Sequence, residues 1–323
     1  MTKPDVLVIL PVRPGGMDRL GAAYTLHRYD EASDKAAFLA ERGPRCRAVV
    51  TNGHADLTAE MLNHLPNLEI VACGSAGFDQ IDVEALKARG IAFTNTSAAL
   101  ADDVADTALM LMLAGRRHLV AGHDYVRSGD WARKGAYPLL SSTRGKRAGI
   151  VGLGQIGSAI AARFEPLELQ LGYTSRSRKD SPYEWFEDAT ALAAWSDILV
   201  LALPGGAETD GLIGRAVLDA LGPQGTLVNI ARGSVVDEEA LIAALADGRL
   251  GHAALDVFRS EPDPDPRLTA LPNVTLYPHH ASGTVETREA MSDLVVDNLD
   301  AHFAGRPLLS PVYDLPAART RTA

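Results

Sequence analysis

The sequence predicts an α/β protein of two parallel-sheet domains, and three observations point there. Short runs of aliphatic and β-branched residues recur along the whole chain. Most are unbroken apolar stretches rather than alternating ones, the pattern of strands covered on both faces. Helix-like segments separate them, and strand–helix alternation implies parallel strands joined by right-handed crossovers. The length agrees: at roughly 100–200 residues per domain, 323 residues suggest two domains.

The opening MTKPDVLVIL runs straight into the first strand, 5–10, with no signal-peptide cleavage pattern. Further strands are expected at 48–53, 68–73 and 91–95. A long helix over about 99–127 follows, with Ser97 as N-cap and Asp102, Asp103 and Asp106 near the positive end of its dipole. A second strand group is expected at 149–152, 169–175, 197–203, 225–230, 253–257 and 273–277. A second long helix, 285–303, stops at Gly305-Arg306-Pro307. These two helices carry the chain into and out of the second strand group. The domains expected are therefore 1–98 with 284–323, and 99–283. From Leu315 the tail is expected to fray.

Composition excludes several classes. A net charge of −10 and a pI near 5.4 argue against a nucleic-acid binder, which needs a basic face. No stretch approaches ~20 uncharged apolar residues; the best, 104–114, contains Asp106 and ends at Arg116-Arg117. No membrane partner is expected. Cys46 and Cys73 are too few for a disulfide framework or a structural zinc site, and no metal-ligand cluster stands out. A reduced, cytoplasmic location is the expectation.

The strongest local signal is Gly152-Leu153-Gly154-Gln155-Ile156-Gly157, after the strand AGIV and before the helical SAIAARF. In that context glycine closes the turn, admits a pyrophosphate to the backbone, and lets helix pack on strand. The helix N-terminus adds unpaired N–H groups for phosphate. An NAD site places an acid about 20 residues on. Here Ser175, Arg176 and Ser177 stand at that strand end, with Arg178 and Lys179 following. Serine and arginine suit a 2′-phosphate, so NADP(H) is expected over NAD(H), which stays possible; a solvated basic loop is the bland alternative.

Three later segments end strands in polar groups: NIARG with Arg232, LDVFRSEP with Glu261, and YPHHAS with His279. Ligands bind beyond the carboxyl ends of parallel strands, so these three can converge. An arginine clamps a carboxylate with two parallel bonds, and an imidazole beside a carboxylate suits proton delivery near neutral pH. The loop Ala72-Cys73-Gly74-Ser75-Ala76-Gly77 follows a strand with small residues, which leaves N–H groups for an anion; a plain turn is the alternative.

With these segments in view, the chain resembles the D-isomer-specific 2-hydroxyacid dehydrogenases over most of its length. GIVGLGQIG, NIARGSVVDEEAL, LDVFRSEP and YPHHASGTVETREAM carry the likeness. YTSRS and the ending NLDAHFAGRPLLSPV are most similar to the NADPH-dependent glyoxylate/hydroxypyruvate and hydroxyphenylpyruvate reductase branch. The resemblance implies two Rossmann-like or flavodoxin-like domains with the active site in the cleft between them. It implies Arg232 as substrate anchor and carbonyl polariser, His279 as proton donor, and Glu261 as its partner, with His280 a bystander. Substrate carboxylate is implied at Ser75, Ala76 and Gly77, beside Arg232 and His279. Leu203, Pro204, Thr209, Ile230 and Asp256 are implied at the cofactor; a turn cap is the alternative for Asp256. A homodimer through the apolar helix near Leu109 and Leu113 is also implied, with burial inside its own domain as the alternative. An NAD-dependent phosphoglycerate dehydrogenase-like enzyme and a nucleotide-sensing corepressor-like protein are the competing readings.

Overall fold

The computed structural model describes residues 3–314; the tail from Leu315, expected to fray, lies outside them. Contacts divide the chain into two compact units, one of the residues through Leu100 with those from Gly283, the other Ala101–Ser282.

The first unit is a five-stranded sheet of β1 (Asp5–Val8), β2 (Thr25–Arg28), β3 (Cys46–Thr51), β4 (Ile70–Cys73) and β5 (Ala92–Thr94). Its order is β2-β1-β3-β4-β5, and every pairing is parallel. Alternate residues of one strand feed opposite cores: Leu7, Val49 and Val71 enter one cluster, while Val6, Ala48, Val50 and Ile70 enter the other. Both faces are dry, which explains the unbroken apolar runs. The helix Val285–Phe303 covers the second face through Val295, Val296 and Leu299, and Thr284 caps it by accepting the Thr287 N–H. β2 escaped the sequence reading because an edge strand buries little. Its TLHR buries only His27, whose ring pairs with Asp5 at 2.6 Å.

The second unit holds β6 (Arg147–Val151), β7 (Gln170–Thr174), β8 (Glu184–Trp185), β9 (Ile198–Leu201), β10 (Thr226–Asn229), β11 (His252–Leu255) and β12 (Val274–Leu276). The order β12-β11-β10-β9-β6-β7-β8 puts the first strand inside the sheet, with the direction of winding reversing between β6 and β9. Two-residue β8 is too short for any periodic signal. All pairings are parallel, so every strand ends at one edge of the sheet.

The single helix expected over 99–127 is a correction. It is two helices, Ser97–Arg116 and Leu119–Arg127, parted at His118 with φ +45°. A left-handed residue breaks the i→i−4 ladder. His118 stacks on buried His252 with ring centroids 5.0 Å apart, so tertiary docking sets the break. Ser97 is the first helical residue rather than the cap, and its N–H donates to Asn95 Oδ1. Among the described residues no helix is long and apolar enough to cross a membrane.

Candidate functional site

The glycine turn links β6 to the helix Gln155–Phe164, beside the β6/β9 switch where open α/β sheets bind ligands. Its three glycines do different work. Gly152 has φ +97°, and a Cβ there would lie 2.7 Å from Ala202 O. Gly157 packs so closely that a Cβ would collide with Gly152 O. Gly154 has open space in the direction of a Cβ, room in which a ligand phosphate can approach the backbone. Leu153 is buried, Ile156 half-buried, and Gln155 exposed at the helix start.

Ser175, Arg176 and Ser177 follow β7, the next strand, with both Ser177 and Arg176 exposed. The loop is shaped from within: Ser175 Oγ donates to Ser177 O at 2.7 Å, and Tyr173 Oη bonds both backbone groups of Lys179. No carboxylate occupies 175–179, so the loop fits a phosphate-bearing ribose. Leu203 and Pro204 lie past β9, Leu203 packed against the core. Thr209 donates its hydroxyl to Pro204 O at 2.9 Å and so braces that loop.

Arg232, Glu261 and His279 follow β10, β11 and β12, three adjacent strand ends. His279 Nδ1 lies 2.6 Å from Glu261 Oε2, and Glu261 Oε1 accepts the Phe258 N–H at 2.8 Å. Burial opposes ionisation of Glu261. The His279 ring, the Phe258 N–H and the charge of Arg232 outweigh it and hold the carboxyl below its ordinary value. Arg232 follows β10, the strand next to the one that carries Glu261. Phe258, Pro262, Leu276 and Tyr277 wall an apolar cavity of about 280 Å³ beside the His–Glu pair.

Two residues that the sequence reading passed over hold Arg232. Buried Asn229 donates through Nδ2 to Arg232 O and accepts the Ala231 N–H, both at 3.0 Å. Gly233 lies against the Phe258 backbone, where any Cβ would collide. A glycine directly after the arginine was the available signal.

Asp256 is almost fully buried, and its carboxylate accepts the N–H groups of His280 at 2.8 Å and Ala281 at 3.1 Å. Its own carbonyl accepts the His279 N–H at 2.7 Å. The turn-cap alternative is thus filled, around a His279 held at φ +48°. Burial pushes the Asp256 carboxyl above its ordinary value despite those two donors. Ile230, also buried, lies on the β10 side of the same edge. The His280 ring rests against Tyr277.

In the first unit, Ser75, Ala76 and Gly77 form a half-exposed loop after β4. Gly53, after neighbouring β3, donates its N–H to Ser75 Oγ at 2.7 Å. Among the described residues no group of three or more His, Cys, Asp or Glu could hold a metal.

A glycine turn at the switch point, with an Arg–Glu–His group at strand ends of the same sheet, defines a dinucleotide-dependent dehydrogenase. The chain belongs to the D-isomer specific 2-hydroxyacid dehydrogenase family, whose NAD binding domain matches residues 109–281. It is 46% identical to the hydroxyphenylpyruvate reductase of Plectranthus scutellarioides over 308 residues, 95% of this chain and 98% of that protein. The 2-hydroxyacid dehydrogenase of Ketogulonicigenium vulgare Y25 superposes with a TM-score of 0.89 at 48% identity, over 98% of this chain and all of that one (100%). The NADPH-dependent glyoxylate/hydroxypyruvate reductase of Sinorhizobium meliloti, solved with NADP and malonate, gives 0.85 at 37% identity, over 98% of each chain.

Proposed function

We propose that the protein reduces a small 2-oxo acid, of the glyoxylate, hydroxypyruvate or hydroxyphenylpyruvate kind, to the D-2-hydroxy acid with NADPH. The observation that carries this reading is the His279–Glu261 pair at 2.6 Å, with Arg232 at the end of the adjacent strand. Bound NADPH supplies the hydride to the carbonyl carbon. As negative charge grows on the carbonyl oxygen, Arg232 and protonated His279 stabilise it more than they stabilise the ground state. Glu261 engages Nδ1, which assigns proton delivery to Nε2. General acid catalysis of this kind contributes ~10²–10⁴-fold. The Ala101–Ser282 unit binds the dinucleotide, and Ser75–Gly77 in the other unit receives the substrate carboxylate.

Ser175, Arg176 and Ser177 favour NADPH over NADH, a preference supported by the S. meliloti relative; NADH remains a usable donor. The protein acts as a homodimer through its helices near 109–126. Exposed Met110, Leu113, Leu119, Val120 and Val126 support that, and light scattering tests it. Two buried cysteines outside any disulfide support a reducing, cytoplasmic setting.

The test is NADPH oxidation across glyoxylate, hydroxypyruvate and hydroxyphenylpyruvate, with 3-phosphohydroxypyruvate and pyruvate as controls, repeated with NADH. His279→Gln should lose most turnover yet still bind NADPH. Full turnover in that variant refutes the assignment.

A further inference from the structure

Three successive carbonyls in the loop after β4 are tied back into their own unit. Thr96 N–H donates to Ser75 O at 3.1 Å, Asn95 Nδ2 to Ala76 O at 3.1 Å, and Ser75 Oγ to Gly77 O at 2.7 Å. In a trans peptide the C=O and the following N–H point in opposite directions. Anchoring these carbonyls therefore turns the N–H groups of Ala76, Gly77 and Phe78 the other way. None of the three donates to an acceptor among the described residues.

The anchors are themselves held. Asn95 Nδ2 also donates to Ser97 Oγ, and the Asn95 backbone exchanges hydrogen bonds with Ser310, whose hydroxyl Asn298 reaches at 2.9 Å. Ser75 Oγ gives its one proton to Gly77 and accepts from Gly53, so the hydroxyl shapes the loop. Gly53 presses on the same carbonyl: a Cβ there would collide with Gly77 O.

We propose that Asn95 and Ser75 are positioning residues for the substrate carboxylate, holding the loop carbonyls inward so that three backbone N–H groups face the anion. The proposal rests on the reading of the substrate as a 2-oxo acid. Neither side chain touches the substrate. Their effect is to pre-pay the orientation of donors that a loose loop would have to order on binding. Nδ2 must be a donor, because a carboxylate oxygen in its place would repel Ala76 O.

The experiment measures KM and kcat for glyoxylate at saturating NADPH, and the Kd of oxamate, a carboxylate-bearing analogue, for the enzyme–NADPH complex. Asn95→Ala and Ser75→Ala should each raise the glyoxylate KM and the oxamate Kd about tenfold, with the larger change in KM rather than kcat. Asn95→Asp should exceed Asn95→Ala. Ser75→Thr keeps the hydroxyl and should hold KM within about threefold of the wild type. Should Asn95→Ala fold poorly, Ser75→Ala carries the test. An unchanged oxamate Kd in a folded variant overturns the proposal, as does a fall confined to kcat. If the wild type reduces no 2-oxo acid with either cofactor, the functional reading fails. Wild-type turnover beside unmoved variant constants defeats the positioning role alone.

Discussion

Replacing Asp256 by alanine removes the acceptor of two backbone N–H groups, those of His280 and Ala281, from a place where the side chain is only 1% exposed. An orphaned buried donor costs about 1–3 kcal/mol, so the pair amounts to roughly 2–6 kcal/mol if the loop stays put. The loop also carries His279 at φ +48°, a left-handed conformation that costs a non-glycine residue roughly 1–2 kcal/mol. With the carboxylate gone, turning the loop to a negative φ relieves both costs, and the imidazole leaves Glu261. Turnover should then fall about 10²-fold or more, the range of a lost general acid. Melting of the Ala101–Ser282 unit should drop by several degrees, at about 2–4 °C per kcal/mol for a domain of that size. Asp256→Asn keeps one acceptor oxygen and should lie between. The assay is kcat on glyoxylate at saturating NADPH, the KM for NADPH, and thermal unfolding of both variants. A role at the nicotinamide alone predicts a higher KM for NADPH at constant Tm. Wild-type kcat and Tm in Asp256→Ala would refute the clamp.

Three other outcomes are expected. Glu261 has its carboxyl held below the ordinary 4.5 in the fold. Its stabilising contribution is therefore present above about pH 4.5 and disappears as pH falls through the lowered value. The Tm advantage of wild type over Glu261→Gln should be visible near neutral pH and vanish in strong acid, and a gap that grows on acidification contradicts this. Ser175→Asp sets a carboxylate where a 2′-phosphate would lie, so kcat/KM for NADPH should drop about 10–10²-fold while that for NADH holds or rises; equal losses with both cofactors count against the assignment. The Cβ of Gly154→Ala meets no protein atom, whereas Gly157→Ala drives a Cβ into Gly152 O. The first should raise the Kd of NADPH without lowering Tm, and the second should lower Tm; the reverse pattern on titration and melting removes the roles given to the two glycines.

Local chemistry made much of this protein legible in its sequence. Unbroken apolar runs announced the doubly covered strands, because β1, β3 and β4 send alternate residues into two separate cores. The glycine turn was readable because its three glycines stand at fixed spacing between a strand and a helix, and the helix Val285–Phe303 because it stops at a glycine. The tertiary structure decided what depends on partners far along the chain. The helix break at His118 exists because its ring meets His252, and edge strand β2 has no apolar pattern because only one of its residues is buried. The clamps show the same division. Asp256 and Asn95 are ordinary polar residues after strands until folding brings the backbone of residues 279–281 to one, and the 75–77 loop to the other. Hydrogen bonds between distant segments leave no period and no spacing in a sequence, so only the folded chain reveals which side chains hold its reactive groups in place.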